Sequence, residues 1–91
     1  MASNLKYFIP ILKVAKALYH TNIPFDFRNA MDGAQLRFDW CAGDIVCHNF
    51  SYGSNAGRVE SYMFPWDNGD VSMLTPEEAT EKIIELYQKT T

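Results

Sequence analysis

The sequence is poor in cysteine and histidine, with two of each among 91 residues. A disulfide framework in a small secreted domain requires more cysteines than this. A tetrahedral zinc site gathers four ligands, often from pairs that lie close in sequence, and no such set of pairs is present. We therefore expect reduced thiols, no metal site and no cofactor.

A long apolar run free of charge is also lacking. The most apolar early segment, residues 7–19, is interrupted by Lys13 and Lys16. These two charges argue against a secretory signal and against a membrane-spanning helix. We expect a cytoplasmic protein without a membrane role, and a basic helix lying on a lipid surface is the alternative for this segment.

Acidic side chains are absent from residues 1–25, which carry three lysines and a charge of +3. Residues 26–91 carry five basic and eleven acidic side chains, a charge of −6, so the whole chain is at −3. Nucleic-acid binding depends on clustered Lys and Arg that neutralise phosphates. The net-acidic body therefore predicts that nucleic acid is not a partner.

The early apolar segment predicts a helix. Its apolar residues recur at steps of three and four, as expected when one face of a helix packs on a core. The helix is predicted to follow Ser3 or Asn4 as its N-cap and to end near His20 to Asn22, ahead of Pro24. The predicted buried stripe is Leu5, Phe8, Ile9, Leu12, Ala15, Leu18 and Tyr19.

The last segment, TPEEATEKIIELYQKTT, predicts a second helix. Thr75 is the N-cap, Pro76 takes the first helical position, and Glu78 completes a capping box three residues after the cap. The predicted buried stripe is Ala79, Ile83, Leu86 and Tyr87, with Ile84 at its margin.

Between the helices, apolar and polar residues alternate in four segments, approximately residues 23–27, 36–40, 45–52 and 58–64. Asp32-Gly33 and Gly43-Asp44 are predicted to be two-residue hairpin turns, and GSNAG to connect the third strand to the fourth. Pro65 ends the fourth strand, and WDNGD after it is interpreted as a turn. The predicted fold is a single α+β domain over residues 1–91, a two-layer sandwich in which both helices cover one face of a four-stranded antiparallel meander.

The stretch CAGDIVCHNFSYG, residues 41–53, holds both cysteines and a histidine. With a two-residue turn at Gly43-Asp44, Cys41 and Cys47 point to opposite faces, which prevents a shared disulfide or metal. A three-residue loop would instead bring the two cysteines within bridging distance. Cys47 is predicted to act as a small core hydrophobe rather than as a catalytic thiol.

The same turns predict which side chains face the helices and which face outward. The inner face is predicted to hold Ile23, Phe25, Phe27, Leu36, Phe38, Trp40, Ile45, Cys47, Val59 and Met63. The outer face is predicted to hold Asp26, Arg28, Arg37, Asp39, Val46, His48, Phe50, Tyr52, Arg58, Glu60, Tyr62 and Phe64.

The uncovered face of an antiparallel sheet is normally polar, but this outer face is predicted to carry several apolar and aromatic side chains. It is therefore the predicted functional surface. We predict a small noncatalytic binding or regulatory protein whose outer face holds a protein partner or a second copy of the chain. The candidate binding residues are Arg37, Asp39, His48, Phe50, Tyr52, Tyr62, Phe64 and Trp66. The alternative is a small-ligand binder or an enzyme with a site around His48, Asp39 and Tyr62, in which Asp39 faces His48 across two strands.

Overall fold

A computed structural model describes residues 5–90, so the predicted N-cap at Ser3 or Asn4 lies outside the described residues. The elements are α1 (Leu5–His20), β1 (Asp26–Ala30), β2 (Gly33–Arg37), β3 (Asp44–Cys47), β4 (Val59–Tyr62), β5 (Val71–Leu74) and α2 (Pro76–Thr90). The strands form one antiparallel sheet in chain order. The two helices pack against each other and against the sheet.

The predicted α+β meander with helices packed on its sheet is confirmed, but the sheet has five strands instead of four. The additional strand is β5, which pairs with β4 from Val59↔Leu74 to Tyr62↔Val71. With only four residues, VSML is too short for a clear alternation of apolar and polar residues. Pairing with β4, rather than local sequence, therefore defines this strand.

The first helix ends where the sequence predicts, at His20. Asn22 takes a left-handed conformation with a φ of 58°. Its N–H donates to the carbonyl of Tyr19 at 3.1 Å, and the N–H of Ile23 donates to the carbonyl of Leu18 at 3.0 Å. These two bonds form a Schellman motif, which satisfies carbonyls at the helix end and turns the chain toward β1.

The buried stripe of α1 differs from the prediction. Its buried residues are Tyr7, Pro10, Ile11, Val14, Ala15 and Leu18. The prediction is right for Ala15 and Leu18 and wrong for Leu5, Ile9, Leu12 and Tyr19, which are exposed. Apolar residues occur around most of the circumference of this helix. The helical period therefore does not indicate which of two adjacent apolar stripes faces the core.

The start of α2 follows the prediction. The N–H of Glu78 donates to Oγ1 of Thr75 at 3.1 Å, and the N–H of Thr75 donates to Oε1 of Glu78 at 2.9 Å. The bond from Thr75 lowers the pKa of the Glu78 carboxyl, because it favours the charged form. Ala79 and Ile83 are fully buried as predicted, while Ile84, Leu86 and Tyr87 are half-buried against the core.

The turn between β1 and β2 consists of Met31 and Asp32, one residue earlier than predicted, and Ala30 pairs with Gly33. Moving a turn by one residue changes the pairing register by two, so each side chain keeps its predicted face. Gly33 serves another purpose, because a Cβ at this position would overlap the carbonyl oxygen of Cys47. Because Gly33 has no side chain, the backbone at the end of β3 can lie close to the backbone of β2.

The predicted hairpin turn at Gly43-Asp44 is wrong. Residues 38–43 form a six-residue loop between β2 and β3, and Leu36 pairs with Ile45. Gly43 lies against Phe64, since a Cβ at this position would be 2.5 Å from the ring. This glycine provides room for an aromatic ring rather than a hairpin turn.

The end of β4 reverses two predicted positions. The strand stops at Tyr62, and Met63 takes a φ of 67°, which interrupts the alternation of side chains. As a result, Met63 is 51% exposed although it was predicted to face inward, and Phe64 is only 3% exposed although it was predicted to face outward.

Aromatic side chains close the end of the core that Phe64 enters. The ring of Phe64 stacks on Trp66 at 4.3 Å and lies 5.9 Å from Phe38. Phe38 lies 5.5 Å from Trp40, which contacts Tyr87 of α2 edge-on at 4.9 Å. This cluster ties the loops after β2 and β4 to the second helix.

Candidate functional site

Two rows of side chains cross the outer face of the sheet from β1 to β5. The first row is Asp26, Arg37, Asp44, Tyr62 and Val71; the second is Arg28, Gln35, Val46, Glu60 and Met73. All ten are exposed or half-buried, whereas Leu36, Ile45 and Ser61, which point inward, are 0% exposed. The outer face is therefore open within the described part of the chain.

Three of the eight candidate binding residues lie on this face or at its margin. Arg37 and Tyr62 belong to the first row, and Tyr62 is 44% exposed. Tyr52 lies in the loop after β3, where its N–H donates to Oε2 of Glu60 at 2.7 Å. Phe50 lies in the same loop and is 72% exposed, but it lines a groove with Met31 and Asp32 of the turn after β1 instead of joining the rows.

Phe64 and Trp66, also predicted as outer-face anchors, belong to the aromatic cluster instead. Trp66 is half-buried, and its Nε1–H donates to Oγ of Ser61 at 3.1 Å on the inner side of β4. The left-handed residue Met63 and the turn at Pro65–Asp67 fold both rings back under the sheet. Their predicted position on the outer face is wrong.

The predicted pairing of Asp39 with His48 is also wrong. Asp39 follows Arg37, which pairs with Asp44, whereas His48 follows Cys47, which pairs with Ala34 at the other end of the strands. Three residues of strand separate the two ends, a distance of about 10 Å. Tyr62 lies at the end near Asp39, so the structure does not assemble the predicted ligand or catalytic site.

His48 is held in a local turn. Its Nδ1 accepts the N–H of Phe50 at 3.0 Å, and its own N–H donates to Oγ of Ser51 at 3.0 Å. The Ser51 hydroxyl in turn donates to the carbonyl of His48 at 2.9 Å. Nearby, the N–H of Asn49 donates to Oδ1 of Asp32 at 3.0 Å. These contacts organise the loop and leave the serine hydroxyl bonded to the backbone.

Both cysteines are free thiols. Cys47 is fully buried, and burial raises the pKa of its thiol to about 11. Burial also raises the pKa of the half-buried Cys41 thiol. Neither cysteine therefore provides a thiolate nucleophile at neutral pH. Among residues 5–90, no group of three or more potential ligands is placed to hold a metal ion.

Asp44 is the most perturbed carboxyl group on the outer face. It is half-buried in β3, between its strand partners Arg37 and Tyr62. Burial raises the pKa of its carboxyl, and the opposing effects of the Arg37 charge and a Gln35 hydrogen bond are smaller. The centre of the outer face thus holds a carboxylate that is incompletely solvated.

We expect Asp44→Asn to stabilise the protein at neutral pH. Because the pKa is raised in the folded state, folding is favoured when the group is protonated, and this contribution is lost as the pH rises through the folded pKa. Urea unfolding at pH 7 should show the variant more stable by less than about 1 kcal/mol, since the group remains partly exposed. The difference in stability should vanish near pH 3, where the wild-type carboxyl is protonated. A variant that is less stable than the wild type at pH 7 would contradict this prediction, because it would show that the attraction of the Arg37 charge outweighs the cost of burying the carboxylate.

Sequence reasoning did not find Val71 and Met73, because it did not predict β5. Met73 is 54% exposed, at the end of the second row. The one local indication is that these apolar residues are spaced two apart, as on one face of a strand. Gly53 brings the loop after β3 close to Met73, because a Cβ at Gly53 would be 3.4 Å from its side chain.

No protein-family model matches the chain, and neither does any curated protein or solved structure. Across residues 5–90, no helix is long and apolar enough to cross a membrane. A function therefore has to be inferred from the geometry and chemistry of the surface.

Proposed function

We propose that the protein is a noncatalytic binding or regulatory domain whose outer sheet face holds a protein partner. The observation that supports this most is the pair of open rows, which present side chains from all five strands on one uncovered surface. Five strands at a spacing of about 4.8 Å give a surface roughly 19 Å wide. This width is better matched to a protein than to a small molecule, which requires a concave site that surrounds it.

The chemistry of the face also suits a protein partner. Tyr62, Val46 and Met73 provide exposed or half-buried apolar area near the middle and the β5 side of the rows. Arg37 and Glu60 add one charge of each sign. Tyr, Met and Arg are enriched at protein interfaces, where a few apolar anchors are surrounded by polar contacts. We infer that Tyr62 is the central anchor.

The two free thiols support the proposal that this binding protein is located in a reducing compartment. Cys41 is only half-buried, and the oxidation of such a thiol is disfavoured in the cytoplasm, where disulfides are rare. We therefore propose a cytoplasmic protein.

An affinity-capture experiment tests the proposed function. Tagged protein is used to capture its partner from the cells that produce it, and Tyr62→Ala combined with Arg37→Glu should reduce the recovered partner about tenfold or more. The matched control combines Tyr19→Ala with Lys16→Glu, which changes the same residue classes at exposed positions on α1. An equal loss from both double variants would contradict binding through the outer face.

A further inference from the structure

One edge of the sheet is open within the described residues. β1 pairs with β2 on one side, and no described strand pairs with its other side. Four of its five residues, Asp26 to Asn29, are exposed, and the strand contains no proline. Proteins usually protect such an edge, because its outward N–H and C=O groups can pair with another strand.

The turn after β1 determines which backbone groups point to this edge. Ala30 and Gly33 flank a two-residue turn and so form a hydrogen-bonded pair. Hydrogen-bonded and non-hydrogen-bonded pairs alternate along an antiparallel ladder. Phe27, three positions earlier, is therefore in a non-hydrogen-bonded pair with Leu36, and its own N–H and C=O point outward.

An apolar surface accompanies the open edge. We call four side chains the β1 flank: Leu5, Phe8 and Leu12 of α1 and Phe27 of β1. The rings of Phe8 and Phe27 lie 6.2 Å apart, which places this side of the helix beside the strand. Leu5 is 72% exposed, Leu12 47% and Phe27 39%. Phe8 is partly buried against the core, whereas Leu5 and Leu12 lie on the side of α1 that the core does not bury.

Two of the three lysines of α1, Lys6 and Lys13, lie away from the flank, while Lys16 lies one helical turn beyond Leu12 on the same side of the helix. Lys13 and Ala17 line a groove with Pro76 and Glu77 of α2, so they mark the side of α1 that faces the second helix. With about 100° of rotation per residue, Lys6 lies on this side as well. The flank lies on the side of the helix that is turned away from α2.

We propose that this surface binds the same surface of a second copy of the chain. The two β1 strands would pair antiparallel across a twofold axis and join the two sheets. An interface of this symmetry uses each side chain twice, so the four flank residues provide eight apolar groups. The proposal concerns the edge of the sheet and does not depend on the partner proposed for the outer face.

The charges of β1 select one register for this pairing. Asp26 and Arg28 share the outer face and form an ion pair at 2.8 Å. With Phe27 on the twofold axis, Asp26 of each copy faces Arg28 of the other, and the two Phe27 rings meet on the helix side. With Arg28 on the axis, two arginines would face each other, which is unfavourable. In this favoured register the outward N–H and C=O groups of Phe27 in the two copies also lie opposite each other, so they can form a hydrogen-bonded pair.

Charge reversal on β1 tests the proposal by sedimentation velocity over a range of protein concentrations. The wild type should form a dimer. Asp26→Lys places like charges opposite each other in the pair of strands, and so does Arg28→Glu, so each should weaken the dimer about tenfold or more. Thermal unfolding followed by circular dichroism verifies that each variant is folded, and Tyr62→Ala, on the outer face, should leave the dimer intact.

Mixing the two reversed variants gives the decisive result. One variant then carries two positive and the other two negative side chains at positions 26 and 28, so an equimolar mixture should restore the dimer. A wild type that stays monomeric at about 0.5 mM would overturn the proposal. A dimer that both reversals leave unchanged, or a mixture that remains monomeric, would also overturn it.

Discussion

Gly33→Ala is expected to be the most damaging single substitution in the sheet. The added methyl group would overlap the carbonyl oxygen of Cys47 and approach its carbonyl carbon at 2.8 Å, and these are backbone atoms in the adjacent strand. Relief requires β2 and β3 to move apart where Ala34 pairs with Cys47. We expect the free energy of unfolding to fall by roughly 3 kcal/mol or more, a large part of the total for a domain of this size. Urea unfolding measures the change.

Gly57→Ala is the matched control for this prediction. Gly57 has a φ of 71°, and a Cβ there would meet no atom within 4 Å. Its replacement should cost only the strain of a left-handed conformation, about 1–2 kcal/mol. If Gly33→Ala were no more damaging than Gly57→Ala, the close approach of β3 to Gly33 would be contradicted.

Asp67→Ala is expected to cost about 3 kcal/mol of stability. Asp67 is 4% exposed, and its carboxylate accepts the Ser61 hydroxyl at 2.7 Å and the N–H of Phe64 at 3.1 Å. Removing the carboxylate leaves both donors buried without a partner, and each such group carries a penalty of about 1–3 kcal/mol. The turn that directs Phe64 into the core would be weakened as well. Thermal and urea unfolding measure this loss.

Asp70→Ala provides the comparison for Asp67→Ala. Asp70 also accepts a backbone N–H, that of Val71 at 2.8 Å, but in an exposed turn where water can replace it. Its substitution should cost no more than about 0.5–1 kcal/mol. In the background of Asp67→Ala, the further change Ser61→Ala should cost less than it does in the wild type, because the Ser61 hydroxyl has already lost its acceptor and only the bond from the Trp66 Nε1–H remains to be lost. Independent, additive losses would contradict a shared network.

The helix boundaries follow from local chemistry, which explains why the sequence predicts them. The capping box at Thr75 and Glu78 specifies the start of α2 through two hydrogen bonds between residues three apart. The end of α1 is similarly local, since Asn22 and Ile23 close it on the preceding turn. Contacts of this kind involve neighbours in sequence, and a pattern of residue types is sufficient to identify them.

The roles of the glycines could not be predicted in the same way. Gly33 and Gly43 both stand in pairs that are typical of hairpin turns, yet each allows the close approach of a distant group, the Cys47 carbonyl and the Phe64 ring. Such roles depend on long-range packing. The side chains of β1, β2 and β3 lie on their predicted faces although both turns were predicted wrongly. The observed register of each strand pair differs from the predicted one by an even number of residues, which keeps every side chain on the same face.

The candidate site was only partly predictable for a related reason. Alternation correctly places Arg37 and Tyr62 on the outer face, since both lie within regular strands. Phe64 follows Met63, whose positive φ reverses the alternation, and nothing in an isolated Met residue indicates that conformation. Asp39 and His48 could not be placed because a six-residue loop that contains Asp39, and not a two-residue turn, joins β2 to β3, and the packing of the aromatic cluster accounts for its length.

The two proposed surfaces have different chemistry. The outer face mixes charged side chains with Tyr62 and Met73, as in an interface with a separate protein that also exists alone. The β1 flank is apolar and lies beside a strand whose outer edge pairs with no strand among residues 5–90, which suits a persistent contact with a second copy. A dimer joined at β1 would present two outer faces on one continuous sheet.

Photo-cross-linking from position 62 tests the central claim, that the outer face holds a protein partner, most directly. A benzophenone amino acid is introduced at position 62 and, as a control, at Glu81, which is exposed on α2. In the cells that produce the protein, we predict that position 62 yields an adduct of one discrete mass with a different protein, and that position 81 yields none. Adducts from position 81 alone, or adducts from position 62 only with other copies of this chain, would contradict the claim.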